Sequence, residues 1–362
     1  MQDTRGPIGP PPDRPRNLTD TLPPPEDIVL RWCRYFRQSG IGALLLLWMG
    51  GAFGCRQEGS ASAVQSEPSP LRQSKDSEGD VTKLAHAPSG PEALEALNAR
   101  LGELVVNAGG KVGICIVHVE SGRRVTVGGQ QWLPLQSVFK LPLAIVVLRD
   151  VHGGQVSLDQ MLTVRAEDRA PGVASNAKKW EQVPREVSVR QLLEYSLVDS
   201  DNTSSDKLLE LLGGPKALTE RMQSLGFPGI VVRSPAKAMG SSGELPNEGT
   251  PEALASLLAS LQRGEVLEGP QRALLWDLMG RARTGERRIR AGLPTGTQVV
   301  DKTGTGASGT ATNDVGVVTL PGSAGHLAIA VLIAASSLPA RAQEDLIAQI
   351  ARTAFDSFIG SP

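Results

Sequence analysis

The chain has 362 residues, 40% of them hydrophobic and 21% charged, with a net charge of −1. This is ordinary for a globular protein of one large domain or two modest ones, and it lacks the strongly basic balance of a nucleic-acid binder. His86, His118, His152 and His326 are scattered without paired ligand spacing, and three cysteines make no disulfide framework, so no metal site and no cofactor are expected.

Residues 1–55 read as a leader. Pro-rich sequence is followed by the basic patch Arg31, Arg34 and Arg37, and then by an apolar run over 41–53. That run is short for a membrane span but fits the apolar core of an export signal. Small residues precede Cys55 as at a lipoprotein processing site. The expected location is therefore exported and periplasmic, as a lipoprotein anchored through Cys55, a simply secreted protein or one held by its retained apolar segment, with the membrane met only through the N-terminal signal or lipid anchor. Residues 56–90 are rich in Ser, Glu, Gln and Pro and bury too little apolar surface to order themselves, so they read as a linker to a folded part over 91–362.

In that part, 91–104 carries apolar residues at helical spacing. Residues 111–120 and 123–128 read as two strands joined by a tight turn at Ser121-Gly122. Cys115 lies in the first of them, where a buried, inert thiol is expected. The nearly all-apolar 141–148 reads as a buried helix, with Pro142 tolerable in its first turn. Helical patterns follow at 189–197, 202–212, 216–225, 251–262 and 269–279. Strand patterns return at 298–301, 313–320 and 327–335, and a helix over 340–358 closes the chain. Strands at both ends of a helical block exclude the alternating order of a doubly wound sheet. The expected class is α/β in the α+β sense. One antiparallel sheet is built from N- and C-terminal strands and covered by the terminal helices. This sheet lobe spans about 91–135 and 285–362, and an all-helical lobe spans about 136–284. A cleft between the lobes is where a site is expected.

Ser137-Val138-Phe139-Lys140 stands at the front of the helical block. Residues three apart share a helix face, so the Ser137 hydroxyl lies beside the Lys140 amine. A hydroxyl becomes a nucleophile when a nearby base takes its proton, and a buried lysine near a second cation can be that base. Alone the tetrad is weak, but it is followed in order by Ser200-Asp201-Asn202 and Lys302-Thr303-Gly304. Together these motifs resemble the class A serine β-lactamases, and more broadly the penicillin-recognising serine acyl-transferases, over about 91–362. The resemblance implies a hydrolase that opens a β-lactam ring through an acyl-Ser137 ester. Lys140 is a candidate base, and Ser200 relays a proton to the leaving nitrogen with Lys302 holding it. Asn202 meets the substrate side chain, and Lys302, Thr303 and Arg288 address its carboxylate. The amides of Ser137 and Thr305 receive the oxyanion, and Gly304 permits close approach of the edge strand. Thr312 stands where other members put an arginine. A monomer is expected, with a β-lactam or cell-wall peptide as its partner.

Two competing patterns fail. Gly304 to Gly309 has dinucleotide-binding spacing, but a strand follows where a helix is required. No nucleophile elbow accompanies the histidines.

The chain also departs from the family. Members hydrolyse the acyl-enzyme with a water held by a glutamate, helped by an asparagine four residues on. Alignment of the segment before Thr250-Pro251 puts Ala236 at the glutamate and Gly240 at the asparagine. Acylation is equipped, whereas deacylation is open. Glu244 or Glu248 could enter from a reshaped loop, Lys140 could serve both steps, or the acyl-enzyme could turn over slowly. Slow turnover would suit a D-alanyl-D-alanine peptidase, a penicillin-binding protein or a sensor module.

Overall fold

The computed structural model describes residues 90–172, 174–238 and 246–360. The leader, Cys55, the linker before 90, Gly240 and Glu244 lie outside the described residues. We number the helices of two turns or more and the strands in chain order.

Helix α1 (Pro91–Val105) leads into β1 (Lys111–His118) and β2 (Arg124–Val127). The five-stranded antiparallel sheet has the order β2-β1-β10-β9-β8, with β8 Val299–Thr305, β9 Ala311–Thr319 and β10 His326–Ala334. N- and C-terminal strands therefore join as the motif order requires, β1 pairing with β10 from Lys111–Ala334 to His118–Leu327. The sheet is covered on both faces. Ile114 and Ile116 pack in one core with Leu97 and Leu101 of α1 and Ile350 and Phe358 of α8 (Ala340–Ile359). The alternate residues Cys115 and Val117 face the helical lobe. Two apolar faces make β1 and β10 continuous hydrophobic runs, without the polar alternation of a half-wet strand.

In the helical lobe, α2 (Lys140–His152) is the central element, and its residues from Lys140 through Leu148 are all buried. Pro142 falls in the first turn, where its missing N–H would have no intrahelical partner. Around it are α3 (Val189–Val198), α4 (Asn202–Leu211), α5 (Pro215–Ser224), α6 (Pro251–Arg263) and α7 (Gly269–Gly280).

Each of these helices stands where the sequence pattern put one. The differences lie in short pairings. Strands β3 (Leu133–Pro134), β6 (Ile230–Val231) and β7 (Glu248–Gly249) form a small sheet, and β4 (Met161–Val164) pairs with β5 (Arg185–Ser188). Two-residue strands are too short for a period-2 signal. Strand β8 carries the Lys302-Thr303-Gly304 triplet through to Thr305, as the sequence placed it, and there Thr303, Gly304 and Thr305 pair with Asp314, Asn313 and Thr312. After Gly304-Thr305-Gly306 comes one 3-10 turn and then β9, so no helix opens on these glycines.

Candidate active site

Three segments converge where the lobes meet. Ser137 lies in a 3-10 turn, Gln136–Phe139, that runs into α2. Ser200 precedes α4, whose N-cap is Asp201. Lys302 lies on edge strand β8. Backbone strain marks the same place: Gln136 has φ 49° and Ser200 φ 55°, each a left-handed conformation costing about 1–3 kcal/mol outside glycine.

Lys140 Nζ lies 3.2 Å from Ser137 Oγ and 3.4 Å from Ser200 Oγ, and it donates to Ser200 O and Asn202 Oδ1, both at 2.6 Å. The two short partners are acceptors only. They consume both N–H bonds of a neutral amine and leave its lone pair for the Ser137 hydroxyl. Lys140 is fully buried, and burial, reinforced by the charge of Lys302, holds it well below the usual lysine range. Lys302 Nζ donates to Ser200 Oγ at 3.0 Å and to Thr303 O at 3.0 Å. Its pKa is lowered to about 8, chiefly by burial and against the pull of Asp301 and Asp314. The Ser200 hydroxyl thus lies between two buried lysines, Lys140 held well below the usual lysine range and Lys302 lowered to about 8 and still mainly cationic at neutral pH.

Asn202 Nδ2 donates to Pro171 O at 2.6 Å, fixing the amide between Lys140 and the loop over 169–172. Asp201 accepts from Ser204 N, Ser204 Oγ and Trp180 Nε1, a buried structural cap. The Thr303 hydroxyl pairs with Thr284 Oγ1 at 2.7 Å. A Cβ on Gly304 would meet the Leu135 carbonyl oxygen at 2.4 Å. The glycine is thus required where β8 touches the backbone leading to Ser137.

Arg288 sits differently from a guanidinium open to substrate. It is 5% exposed and donates to Gly304 O, Asn313 O and Thr305 Oγ1, with Glu344 at 3.4 Å. It braces the back of β8 and orients the Thr305 hydroxyl. Thr312, opposite Thr305, is buried, and its hydroxyl finds no hydrogen-bond partner. Behind β8, burial raises the carboxyls of Asp301 and Asp314, and Arg290 pairs with Asp301 at 2.7 Å.

Sequence reasoning missed Asn313, whose amide donates to Pro134 O and Leu135 O at 2.8 and 3.1 Å and so fastens β9 to the nucleophile's approach. The available signal was an asparagine inside a buried strand. It also missed Asp206. This carboxylate accepts from Ala236 N at 2.6 Å and Lys237 N at 2.9 Å. Ala236 itself is buried, and Glu248 is paired with Arg233 at 3.0 Å. Cys115 is a buried thiol raised to about 12, mainly by desolvation. His118 stacks on Phe358 and bonds Ala324 O. Among the described residues, no group of His, Cys, Asp and Glu is assembled that could hold a metal ion.

A half-buried serine beside a buried lysine, a second serine between two lysines and an edge strand beside the nucleophile define a serine acyl-transfer hydrolase. Residues 96–358 match the family model described as the beta-lactamase enzyme family. The chain is 33% identical over 266 residues to the extended-spectrum beta-lactamase PER-1 of Pseudomonas aeruginosa, covering 72% of this chain and 86% of that one. It is 33% identical over 260 residues to beta-lactamase AST-1 of Nocardia asteroides, covering 71% and 82%. Among solved structures it resembles a beta-lactamase from Chitinophaga pinensis (TM-score 0.69, 31% identity, 72% and 99% covered). It also resembles an ancestral class A beta-lactamase (TM-score 0.67, 34% identity, 72% and 100% covered). The chain belongs to the beta-lactamase enzyme family. It is a serine β-lactamase-like hydrolase with the class A fold.

Proposed function

We propose that Ser137 opens β-lactam rings with Lys140 as the base of both half-reactions, and that hydrolysis of the acyl-enzyme is the slower half. The observation that carries this is the placement of Lys140 Nζ, 3.2 Å from Ser137 Oγ, with its two N–H bonds engaged elsewhere. In acylation Ser137 gives its proton to Lys140, and Oγ bonds to the lactam carbonyl carbon. The C–N bond breaks as Ser200 donates its proton to the nitrogen, and Ser200 is reprotonated from Lys140 across 3.4 Å. The N–H groups of Ser137 and Thr305 receive the oxyanion. Lys302 and Thr303 hold the substrate carboxylate, and Asn202 holds the side-chain carbonyl. In deacylation a water gives its proton to Lys140 and attacks the ester carbon, and Ser137 leaves with the proton that Lys140 returns.

Ala236 carries no carboxylate, and Glu248 is engaged by Arg233, so among the described residues no dedicated acid is assigned to the water. Loss of a general base costs about 10²–10⁴-fold, which supports slow turnover. Export, with a lipid on Cys55, belongs to the same proposal and rests on the basic and apolar leader; metabolic labelling with a fatty acid tests it against a Cys55→Ser control.

Intact-mass spectrometry of the protein mixed with a penicillin is the decisive experiment. The expected result is an adduct that forms fast, decays slowly with release of hydrolysed drug, and is absent in Ser137→Ala. An adduct that never decays would overturn the hydrolytic reading, and no adduct would overturn acylation altogether.

A further inference from the structure

Asp206 has no part in the reaction just described, yet it is a buried carboxylate at the meeting point of three relevant elements. It lies four residues after Asn202 on α4, and residues four apart share a helix face. Asn202 is the residue whose Oδ1 holds Lys140 Nζ at 2.6 Å. Asp206 therefore stands one turn deeper along the face that carries the Lys140 contact. Its two oxygens accept the backbone N–H groups of Ala236 and Lys237 at 2.6 and 2.9 Å. A single side chain thus ties the catalytic lysine's neighbourhood to the turn containing Ala236.

We propose that Asp206 is a positioning residue for acyl transfer: a buried counter-charge that steadies the protonated Lys140 formed in each half-reaction, while pinning the turn at Ala236. It supplies part of the electrostatic support that a carboxylate at 236 would give. The inference rests on Lys140 being the base.

The charged groups around the two residues favour this assignment. Lys140 faces Lys302 from β8 and two acids from α4, Asp201 and Asp206. Asp201 is committed to Ser204 and Trp180. Asp206 faces Lys140 from α2 and Lys237 from the turn; its neighbour Lys207 is already paired with Asp168 and Glu210. Burial raises the Asp206 carboxyl, while the two N–H groups and then the Lys140 charge pull it back toward ionisation. A cation appearing on Lys140 thus strengthens the anion on Asp206, and the reverse holds by linkage. A cavity of about 370 Å³ lined by Asp206, Lys207, Pro235 and Lys237 opens beside the carboxylate, while Lys140 is fully buried.

The test is the pH profile of the single-turnover acylation rate with a chromogenic cephalosporin. Asp206→Asn keeps one acceptor for the Ala236 N–H and removes the charge. Protonated Lys140 then loses support, so the acid limb moves about one pH unit lower and the plateau falls about tenfold as the base weakens. Asp206→Glu should keep the wild-type acid limb. If the amide folds poorly, Asp206→Ser is the second neutral variant, expected to shift in the same direction. A neutral variant that melts lower but keeps the wild-type acid limb would overturn the proposal and leave Asp206 a loop anchor. Lys140→Ala separates the two readings: acylation at the wild-type rate in that variant would remove Lys140 as base, whatever Asp206 does.

Discussion

Gly304→Ala tests how tightly the edge strand and the nucleophile are coupled. A Cβ at this position would lie 2.4 Å from the Leu135 carbonyl oxygen, 3.1 Å from Gln136 Cβ and 3.2 Å from Val138 Cγ2. Ordinary contact begins near 3.4 Å, so β8 and the Leu135–Ser137 backbone must part by about 1 Å. The nearest atom belongs to the backbone and cannot turn away. Asn313 holds that backbone through Pro134 O and Leu135 O, and Gln136 is already at φ 49°. Separation therefore stretches the Asn313 contacts and misplaces the Thr305 N–H relative to Ser137. A displacement of 1 Å at a reacting centre costs about 10²-fold, and losing one oxyanion donor costs about 10²–10³-fold. We expect single-turnover acylation of a chromogenic cephalosporin, followed by stopped flow, to slow by at least about 10²-fold. Overpacking should lower stability by about 1–3 kcal/mol. A folded Gly304→Ala protein that acylates at the wild-type rate would refute the claim that this contact sets the site's geometry.

Four further outcomes are expected. Lys302 should lose its charge as pH rises through about 8; kcat/KM for carboxylate-bearing β-lactams should then fall, through KM more than kcat, whereas a flat profile to higher pH would dispute its role as carboxylate holder. The same group has a stability signature. Its folded pKa of about 8 lies below the ordinary 10.5, so between those values the unfolded chain binds more protons and stability rises with pH; denaturant titrations should show this slope reduced in Lys302→Met. Ala236→Glu should shorten the lifetime of the penicilloyl adduct by about 10²–10⁴-fold, read by intact mass, and an unchanged lifetime would mean that the missing acid is not what limits turnover. Asn313→Ala should remove the donor to Pro134 O and one of the two donors to Leu135 O, which keeps the Val138 N–H, costing about 1–3 kcal/mol, and should slow acylation while leaving the Ser137-Lys140 pair intact; a melting temperature equal to wild type would contradict this.

The sequence was most legible where one residue type answers one physical demand over a long stretch. The sheet strands β1 and β10 are apolar on both faces, and the eight helices repeat their apolar residues over several turns, so their existence and order follow from pattern. The three motifs were legible because the chemistry depends on short local spacing: Ser137 and Lys140 are three apart, and Ser200, Asn202, Lys302 and Gly304 sit within triplets. What was not legible depends on approach between distant segments. The small sheet of β3, β6 and β7 is made by backbone pairing of two-residue strands. Arg288 could be placed near the edge strand by order, but its burial under Gly304 and Asn313 is a matter of tertiary packing. Asp206 reads in sequence as a polar helix position; only the arrival of the turn at Ala236, thirty residues away, makes it a receptor for two N–H groups.

The two lysines explain how the site divides its labour. Identical side chains, both fully buried, have their pKa lowered by burial, Lys140 well below the usual lysine range and Lys302 to about 8. Lys140 is lowered by burial and by the charge of Lys302 against the pull of Asp201 and Asp206, whereas Lys302 has Asp301 and Asp314 to support its charge. Titratable groups separated in this way mark acid and base assignments. In the proposed mechanism the separation sets a direction for the proton, from Ser137 to Lys140 and on through Ser200, with Lys302, lowered to about 8, mainly cationic at neutral pH to receive the substrate carboxylate. The direction is complete for acylation because every group it needs is already within 3.4 Å of its partner. In the proposed mechanism deacylation takes the same proton from a water instead of a hydroxyl, and among the described residues neither Ala236 nor Glu248, which is paired with Arg233, offers that water a free carboxylate. The asymmetry between the two half-reactions is therefore one of positioning rather than of base strength, which is why a single carboxylate introduced at 236 is expected to act on adduct lifetime and to leave the acylation rate nearly unchanged.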